Sequence, residues 1–150
     1  RLTLVHRRAM KADQLPPPVM IVDDDDEDVA LLSRHLKNAG VRNPLLHFRN
    51  GGDAFLFLKQ FCPPISTRVQ RPVAVFLDVN MQGLSGFDVL VWARQEPALA
   101  QLKIYMLSGA MEEWDAKIAA KLGADDYLEK FPSSAVFADL LADVCASPAR

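Results

Sequence analysis

Polar side chains follow several short apolar segments of the chain, and their types suggest a charged site. Six acidic residues occupy 23–28, directly after the apolar run 19–22. Asp78 ends the segment "VAVFLD", Ser108 ends "KIYMLS" and Lys130 ends "DYLEK". Short apolar runs of this kind are typical of buried strands. If the strands are parallel, their polar ends meet at one edge of the sheet.

The chemistry of such a cluster favours a bound cation. Carboxylates that converge repel one another unless a positive charge lies among them. We assign Asp23 and Asp24 to a metal ion, and Asp78 completes the acidic set. Hard oxygen ligands with one or two carboxylates and several waters suit Mg²⁺. Lys130 would balance the remaining negative charge or pair with a transferred phosphoryl group.

The rest of the acidic run has a different predicted role. We expect Asp25 or Asp26 to cap the helix that follows, with the remaining acids in its first turn, where the helix dipole favours anions. A cap and solubilising segment with no bound ion is the alternative, and the polar residues at the other strand ends argue against it. A calcium loop is excluded because Val29 occupies the position that requires glycine.

The elements that must position these residues follow from the apolar pattern. Strands are predicted at 19–22, 44–48, 73–78, 103–108 and 126–130. Helical patterns follow them, over 29–39, 50–61, 86–95, 111–123 and 134–145, and we expect Asn50 to cap the second. This alternation predicts an α/β fold with a parallel sheet and helices on both faces.

Length and composition limit the remaining possibilities. With 150 residues, half of them hydrophobic, the chain is sized for one domain, at 19–146, between a leader at 1–18 and a tail at 147–150. Met10 could be a native start. A net charge of −2 gives no sign of nucleic-acid or membrane binding, and no apolar run approaches the ~20 residues of a membrane helix. Two distant cysteines favour a reducing cytoplasm over a disulfide framework.

Four motifs in order resemble the receiver domain of two-component response regulators. They are "IVDDDDEDVALL", "VFLDVNMQGLSGFDVL", "IYMLSGA" and "GADDYLEK". The resemblance covers about 19–146 and implies a flavodoxin-like, doubly wound, five-stranded parallel sheet. It implies these site residues: Asp78 as phosphoacceptor, Asp24 as direct Mg²⁺ ligand, Asp23 acting through water, Asn80 as ligand through its backbone carbonyl, Ser108 and Tyr127 as switch residues, and Lys130 at the phosphoryl group.

The function that the resemblance implies is a phosphorylation-dependent switch of the stand-alone, single-domain type. A histidine kinase would phosphorylate Asp78, and the domain would act through protein contacts, without separate enzymatic turnover. A phytochrome-type kinase is one option, and a homodimer is compatible with the family. One alternative is a Mg²⁺-dependent phosphatase of haloacid-dehalogenase type, since "LDVN" has an Asp-x-Asn spacing. Others are a receiver cut from a larger regulator and a pseudo-receiver that only docks.

The sequence departs from the family pattern at two positions. Gln82 and Phe131 stand where receivers usually have proline. The family's Lys-Pro bond is typically cis, but a cis bond before a non-proline residue costs about 3–4 kcal/mol. We therefore predict a trans Lys130–Phe131 bond, with Lys130 still reaching the site. Trp92 and Trp114 are predicted to be core residues, and the alternative for an exposed one is a partner surface.

Overall fold

The predicted alternation is present in the computed structural model, which describes residues 15–62, 69–110 and 112–145. The strands are β1 (Val19–Val22), β2 (Leu45–Phe48), β3 (Ala74–Asp78), β4 (Lys103–Ser108) and β5 (Asp126–Glu129). The helices are α1 (Asp26–Asn38), α2 (Gly51–Lys59), α3 (Gly86–Gln95), α4 (Glu113–Lys121) and α5 (Ser134–Leu141), with a short 3₁₀ helix at Pro97–Leu99. The predictions for 1–14 and 147–150, including a start at Met10, lie outside the described residues.

The five strands form one parallel sheet in the order β2-β1-β3-β4-β5. This confirms the predicted flavodoxin-like, doubly wound fold. The strand order reverses beside β1, and ligands of such sheets bind outside the carboxyl ends of the strands at this point. Val22 pairs with Leu77, so the residues that follow them, Asp23 and Asp78, leave the sheet side by side.

Side chains that alternate along each strand fill two hydrophobic clusters, one on each face of the sheet. The first cluster joins residues such as Met20 and Leu77 to α2, α3 and α4. The second joins Ile21 and Phe76 to α1 and α5, where Phe137 packs edge-on against Phe76. Each large apolar side chain buried in this way contributes about 1.5–3 kcal/mol. The two clusters therefore hold β1 and β3 rigidly beneath the site.

Polar side chains cap the starts of four helices, α1, α2, α3 and α5, the last through Ser133. The Asp25 side chain accepts hydrogen bonds from the backbone at the start of α1, which confirms one of the two predicted caps. Asn50 caps α2 as predicted. Ser85 and Asp88 form a reciprocal capping box at the start of α3. The chain is thus held by local hydrogen bonds where it enters α1, α2 and α3.

The core prediction for Trp114 is wrong. Its side chain is 74% exposed, and Ile118, four residues on, is exposed as well. Other residues of this segment cover the sheet instead: Ala119 is buried, and Ala116 and Leu122 pack against the first cluster. The face of α4 that packs on the sheet therefore carries Ala119, and Trp114 and Ile118 lie on another face of the helix. Trp92 does pack against the first cluster, as predicted.

The prediction for the bond after Lys130 is also wrong, because the Lys130–Phe131 peptide is cis. The prediction weighed only the local cost of the bond. It left out the tertiary contacts on both sides: the Lys130 ammonium binds carboxylates, and Phe131 packs against the second cluster.

Within the described ranges, no helix combines the length and apolarity needed to cross a membrane.

Candidate functional site

Three carboxylates meet at the carboxyl edge of the sheet. One oxygen from each of Asp23, Asp24 and Asp78 lies within 4.8 Å of the others. Asp23 and Asp78 are buried, whereas Asp24 is exposed. The sequence prediction that β1 and β3 bring these acids together is confirmed.

Backbone amides hold the two buried carboxylates in place. The Asp25 N–H donates to Asp23 Oδ1 at 2.9 Å, where the chain turns from β1 into α1. The Asn80 N–H donates to Asp78 Oδ1 at 3.2 Å in the loop after β3. His47 on β2 adds a contact that sequence reasoning missed, since its Nε2 lies 2.8 Å from the Asp23 carbonyl oxygen. The loops after β1 and β3 are therefore each held by a hydrogen bond to their own buried carboxylate.

Lys130 brings a positive charge into the cluster from the far edge of the sheet. Its backbone N–H donates to the Ser108 carbonyl at 2.7 Å, which extends the β4–β5 pairing to the site. Its Nζ lies 2.8 Å from Asp23 Oδ2, 3.0 Å from Asp28 Oδ2 and 3.4 Å from Asp78 Oδ1. Burial lowers the pKa of Lys130, but the hydrogen bonds to Asp23 and Asp28 outweigh it and raise the pKa overall. The side chain is therefore an ammonium.

Asp78 has a perturbed acidity for a different reason. Burial raises the pKa of Asp78 to about 6, and the negative charge of Asp23 adds to that rise. Lys130 pulls the pKa down but does not cancel the effect of burial. The pKa values of Asp78 and Lys130 are thus both raised, but for different reasons. Burial disfavours the charged form of Asp78, whereas three neighbouring carboxylates favour the charged form of Lys130. A further positive charge beside Asp78 would lower its pKa.

The donor set fits a divalent cation. Three carboxylates supply hard oxygen atoms, and the exposed Asp24 leaves room for the water ligands that Mg²⁺ retains. A dication here would also offset the repulsion among the acids, which the single ammonium of Lys130 only partly neutralises. The acidic pocket is therefore compatible with Mg²⁺ or Mn²⁺.

Ser108 and Tyr127, the predicted switch residues, lie on β4 and β5, and among the described residues no hydrogen bond joins either of them to Asp78. Leu107 pairs with Asp78 in the sheet, so Ser108 is the next residue at the edge. The Ser108 hydroxyl donates to the Ala110 carbonyl at 2.7 Å. Tyr127 is buried in the first cluster. In this conformation the hydroxyl serves its own loop rather than the acidic site.

Asp28 is the site residue that sequence reasoning missed. It was assigned only to the first turn of the helix, yet its carboxylate binds Lys130. The signal was present in the spacing, because Asp28, Leu32 and Leu36 follow one another at four-residue intervals along the buried face of α1. A carboxylate on that face, at the end nearest β1, points toward the site.

Sequence comparisons agree with this geometry. The family model for the response regulator receiver domain matches residues 19–141. The transcriptional regulatory protein GltR of Pseudomonas aeruginosa is 43% identical over 54 residues, which cover 36% of this chain and 22% of GltR. The response regulator Rcp1 of Synechocystis sp. is 28% identical over 103 residues, 69% of each chain. The chain spans about a quarter of the transcriptional regulators that it matches.

Solved structures share the fold. The Mn²⁺-bound form of Rcp1 has a TM-score of 0.72 at 23% identity, over 89% of this chain and 98% of that one. The phosphorylated cyanobacterial phytochrome response regulator RcpA has a TM-score of 0.72 at 21% identity, over 89% and 96%. With the family model, the strand order and the acidic edge in agreement, the chain belongs to the receiver domain family of two-component response regulators.

Proposed function

We propose that Asp78 accepts a phosphoryl group from a histidine kinase and that the phosphorylated domain signals through protein contacts. One observation carries this assignment. Asp78 is the carboxylate that ends the central strand, buried between two further acids and 3.4 Å from the Lys130 ammonium. It combines a nucleophilic oxygen, a cation site and a positive charge in one pocket.

The proposed transfer needs little covalent chemistry from the protein. A carboxylate oxygen of Asp78 forms a bond to phosphorus while the bond from phosphorus to the kinase histidine breaks, and the imidazole takes up a proton. Such transfers depend mostly on positioning and charge stabilisation. A divalent cation held by Asp23 and Asp24 would neutralise charge on the phosphoryl oxygens. Lys130 donates hydrogen bonds from the opposite side.

Phosphorylation of Asp78 would then change the conformation of residues on β4 and β5. The acyl phosphate adds charge and new acceptor oxygens beside Ser108. We expect the Ser108 hydroxyl to leave the Ala110 carbonyl and bind those oxygens. Tyr127 on the neighbouring strand would respond to the space that this movement creates. The surface formed by α4, β5 and α5 is then the expected docking face for a downstream protein.

The first test is phosphorylation of the protein by acetyl phosphate with Mg²⁺, followed by intact-mass measurement. The wild-type chain should gain one phosphoryl group, and Asp78→Asn should gain none, because the amide keeps the shape but lacks the nucleophile. Asp26→Asn is a matched control, since Asp26 is exposed and pairs with Arg49 outside the site. Acid-labile phosphate on the Asp78→Asn protein would refute the assignment.

The metal requirement is tested separately. Asp24→Ala removes one oxygen donor from the cluster and should weaken Mg²⁺ binding and slow labelling, and excess chelator should abolish labelling in the wild type. The same change at Asp26 should have little effect. Labelling at full rate in chelator would show that the cation has no part in the transfer. The choice of Mg²⁺ over Mn²⁺ is decided by comparing the two ions at equal concentration.

The cognate kinase can be found by profiling transfer from purified histidine kinases. Phytochrome-type kinases enter the screen early, because RcpA is a phytochrome response regulator. That likeness concerns the fold, so kinases with other sensors belong in the same screen. A cytoplasmic location and a homodimer stay predictions, which fractionation and light scattering of the phosphorylated protein can check.

The phosphatase alternative is not favoured, since the family match covers most of the chain and the relatives are response regulators. The two functions differ in turnover. A receiver takes up one phosphoryl group per molecule, whereas a phosphatase releases phosphate continuously from a phosphomonoester. Sustained release from p-nitrophenyl phosphate that is lost in Asp78→Asn would revive the alternative.

A further inference from the structure

Lys130 has a carboxylate partner that does not belong to the metal cluster. Its Nζ lies 3.0 Å from Asp28 Oδ2. The Lys130 side chain is 10% exposed and the Asp28 side chain 31%, so the pair is only partly screened by water. Asp28 lies on α1, whose residues Leu32 and Leu36 are buried against the sheet. The helix therefore fixes the position of this carboxylate.

The other two partners of Lys130 are needed elsewhere. Asp23 and Asp78 both belong to the cluster that fits a divalent cation. An ammonium and a dication that approach the same carboxylates compete for their oxygens. Asp23 Oδ1 already accepts the Asp25 N–H, and Asp23 Oδ2 binds Lys130. A cation that binds Asp23 through Oδ2 would share that oxygen with the lysine.

We propose that Asp28 is a positioning residue for Lys130, which holds the ammonium toward α1 and so weakens its competition with the cation for Asp23 and Asp78. An ammonium has three donors, and one of them stays committed to Asp28. Lys130 can then release a cluster oxygen without becoming an unpaired charge in a poorly hydrated site. The inference rests on the proposed function, because it concerns the same cation site.

A double-mutant cycle separates this role from a direct effect of charge. Removing any negative charge near the site weakens cation binding through Coulomb's law. That direct effect is the same whether or not a lysine is present. An effect that passes through Lys130 disappears when Lys130 is replaced by methionine. The informative quantity is therefore how the effect of Asp28→Asn differs between the two backgrounds.

The experiment measures the Mg²⁺ dissociation constant by amide NMR titration of the wild type, Asp28→Asn, Lys130→Met and the double variant. We expect Asp28→Asn to weaken Mg²⁺ binding by about three- to tenfold in the wild-type background, and by less than about twofold beside Lys130→Met. Lys130→Met alone should tighten binding. The control Asp26→Asn should change binding by less than about twofold, because Asp26 pairs with the exposed Arg49.

The ammonium signal of Lys130 gives an independent readout that does not depend on the methionine variant folding. In Mg²⁺-loaded wild type, Asp28 should keep the Lys130 ammonium ordered and its protons in slow exchange with water. In Mg²⁺-loaded Asp28→Asn, that signal should broaden or vanish. Thermal unfolding of each variant checks that the fold is kept.

The outcomes distinguish this inference from the proposed function. Equal effects of Asp28→Asn in both backgrounds, an unchanged ammonium signal, or no Mg²⁺ binding by the wild type would each overturn the positioning role. Coupling between Asp28 and Lys130 without labelling of Asp78 by acetyl phosphate would leave the positioning role standing and refute the phosphoacceptor. Labelling of Asp78 without coupling between Asp28 and Lys130 would leave the phosphoacceptor standing and refute the positioning role.

Discussion

Replacing Tyr127 by phenylalanine should stabilise the fold, although it removes a polar atom from the core. Tyr127 is 5% exposed, and its ring packs in the first hydrophobic cluster. Its hydroxyl oxygen is buried without a hydrogen-bond partner among the described residues. A buried hydroxyl left unpaired costs about 1–3 kcal/mol, while phenylalanine keeps the ring contacts. We expect the free energy of unfolding to rise by about 1 kcal/mol or more, and the melting temperature by roughly 2–4 °C per kcal/mol.

Tyr105 provides the matched control. It is equally buried, at 4% exposed, on the neighbouring strand β4, but its hydroxyl donates to the Leu140 carbonyl at 3.5 Å. Tyr105→Phe removes that weak hydrogen bond and should lower the free energy of unfolding by about 0–1 kcal/mol. Urea unfolding followed by circular dichroism measures both variants, and an unchanged m value shows that the comparison is of stability alone.

The reasoning fails if Tyr127→Phe is as destabilising as Tyr105→Phe or more so. That result would mean that the Tyr127 hydroxyl is paired in solution, with water or with another group. The expected result has a further consequence for the proposed switch. If the hydroxyl is unpaired with the ring inside, its removal should favour the inward position of the ring, visible as a narrower set of ring NMR signals in the variant.

Two further predictions concern the start of α3. Gly86→Ala should lower stability by about 1–3 kcal/mol and displace Asp78, because a Cβ at Gly86 would overlap the Asp78 backbone carbonyl. Gly109→Ala is its control: a Cβ there meets no described atom within 4 Å, so a change beyond about 0.5 kcal/mol would contradict the assignment. Ser85→Ala removes the side-chain cap shared with Asp88 and should cost about 0.5–2 kcal/mol in urea unfolding; no loss would show that the cap is dispensable.

The sequence predicted the strands and the acidic cluster well because both depend on short-range patterns. A buried parallel strand is a continuous apolar run, and the first polar residue marks its end, as Asp23 and Asp78 do. Parallel strands then bring those ends together without any further information. Asp25 and Asn50 were found as caps for the same reason, since capping involves neighbours in sequence.

The errors lie where distant residues decide the outcome. Trp114 and Ile118 are apolar, but in the folded chain α4 turns Ala119 toward the sheet and leaves both larger side chains exposed. The Lys130–Phe131 bond lies between two residues that contact distant parts of the chain, and local preference does not include those contacts. Asp28 was assigned to the helix dipole because its partner stands 102 positions away.

The salt bridge between Asp23 and Lys130 joins residues 107 positions apart, one after the first strand and one after the last. Contacts of such long sequence separation form late in folding, because a long loop must first be closed. β5 also lies at the edge of the sheet and pairs only with β4. Lys130 also follows all three acids of the cluster in the chain, so it leaves the ribosome after them. Under the proposed function, competence for phosphotransfer should therefore appear only when β5 has docked and has brought Lys130 to Asp78.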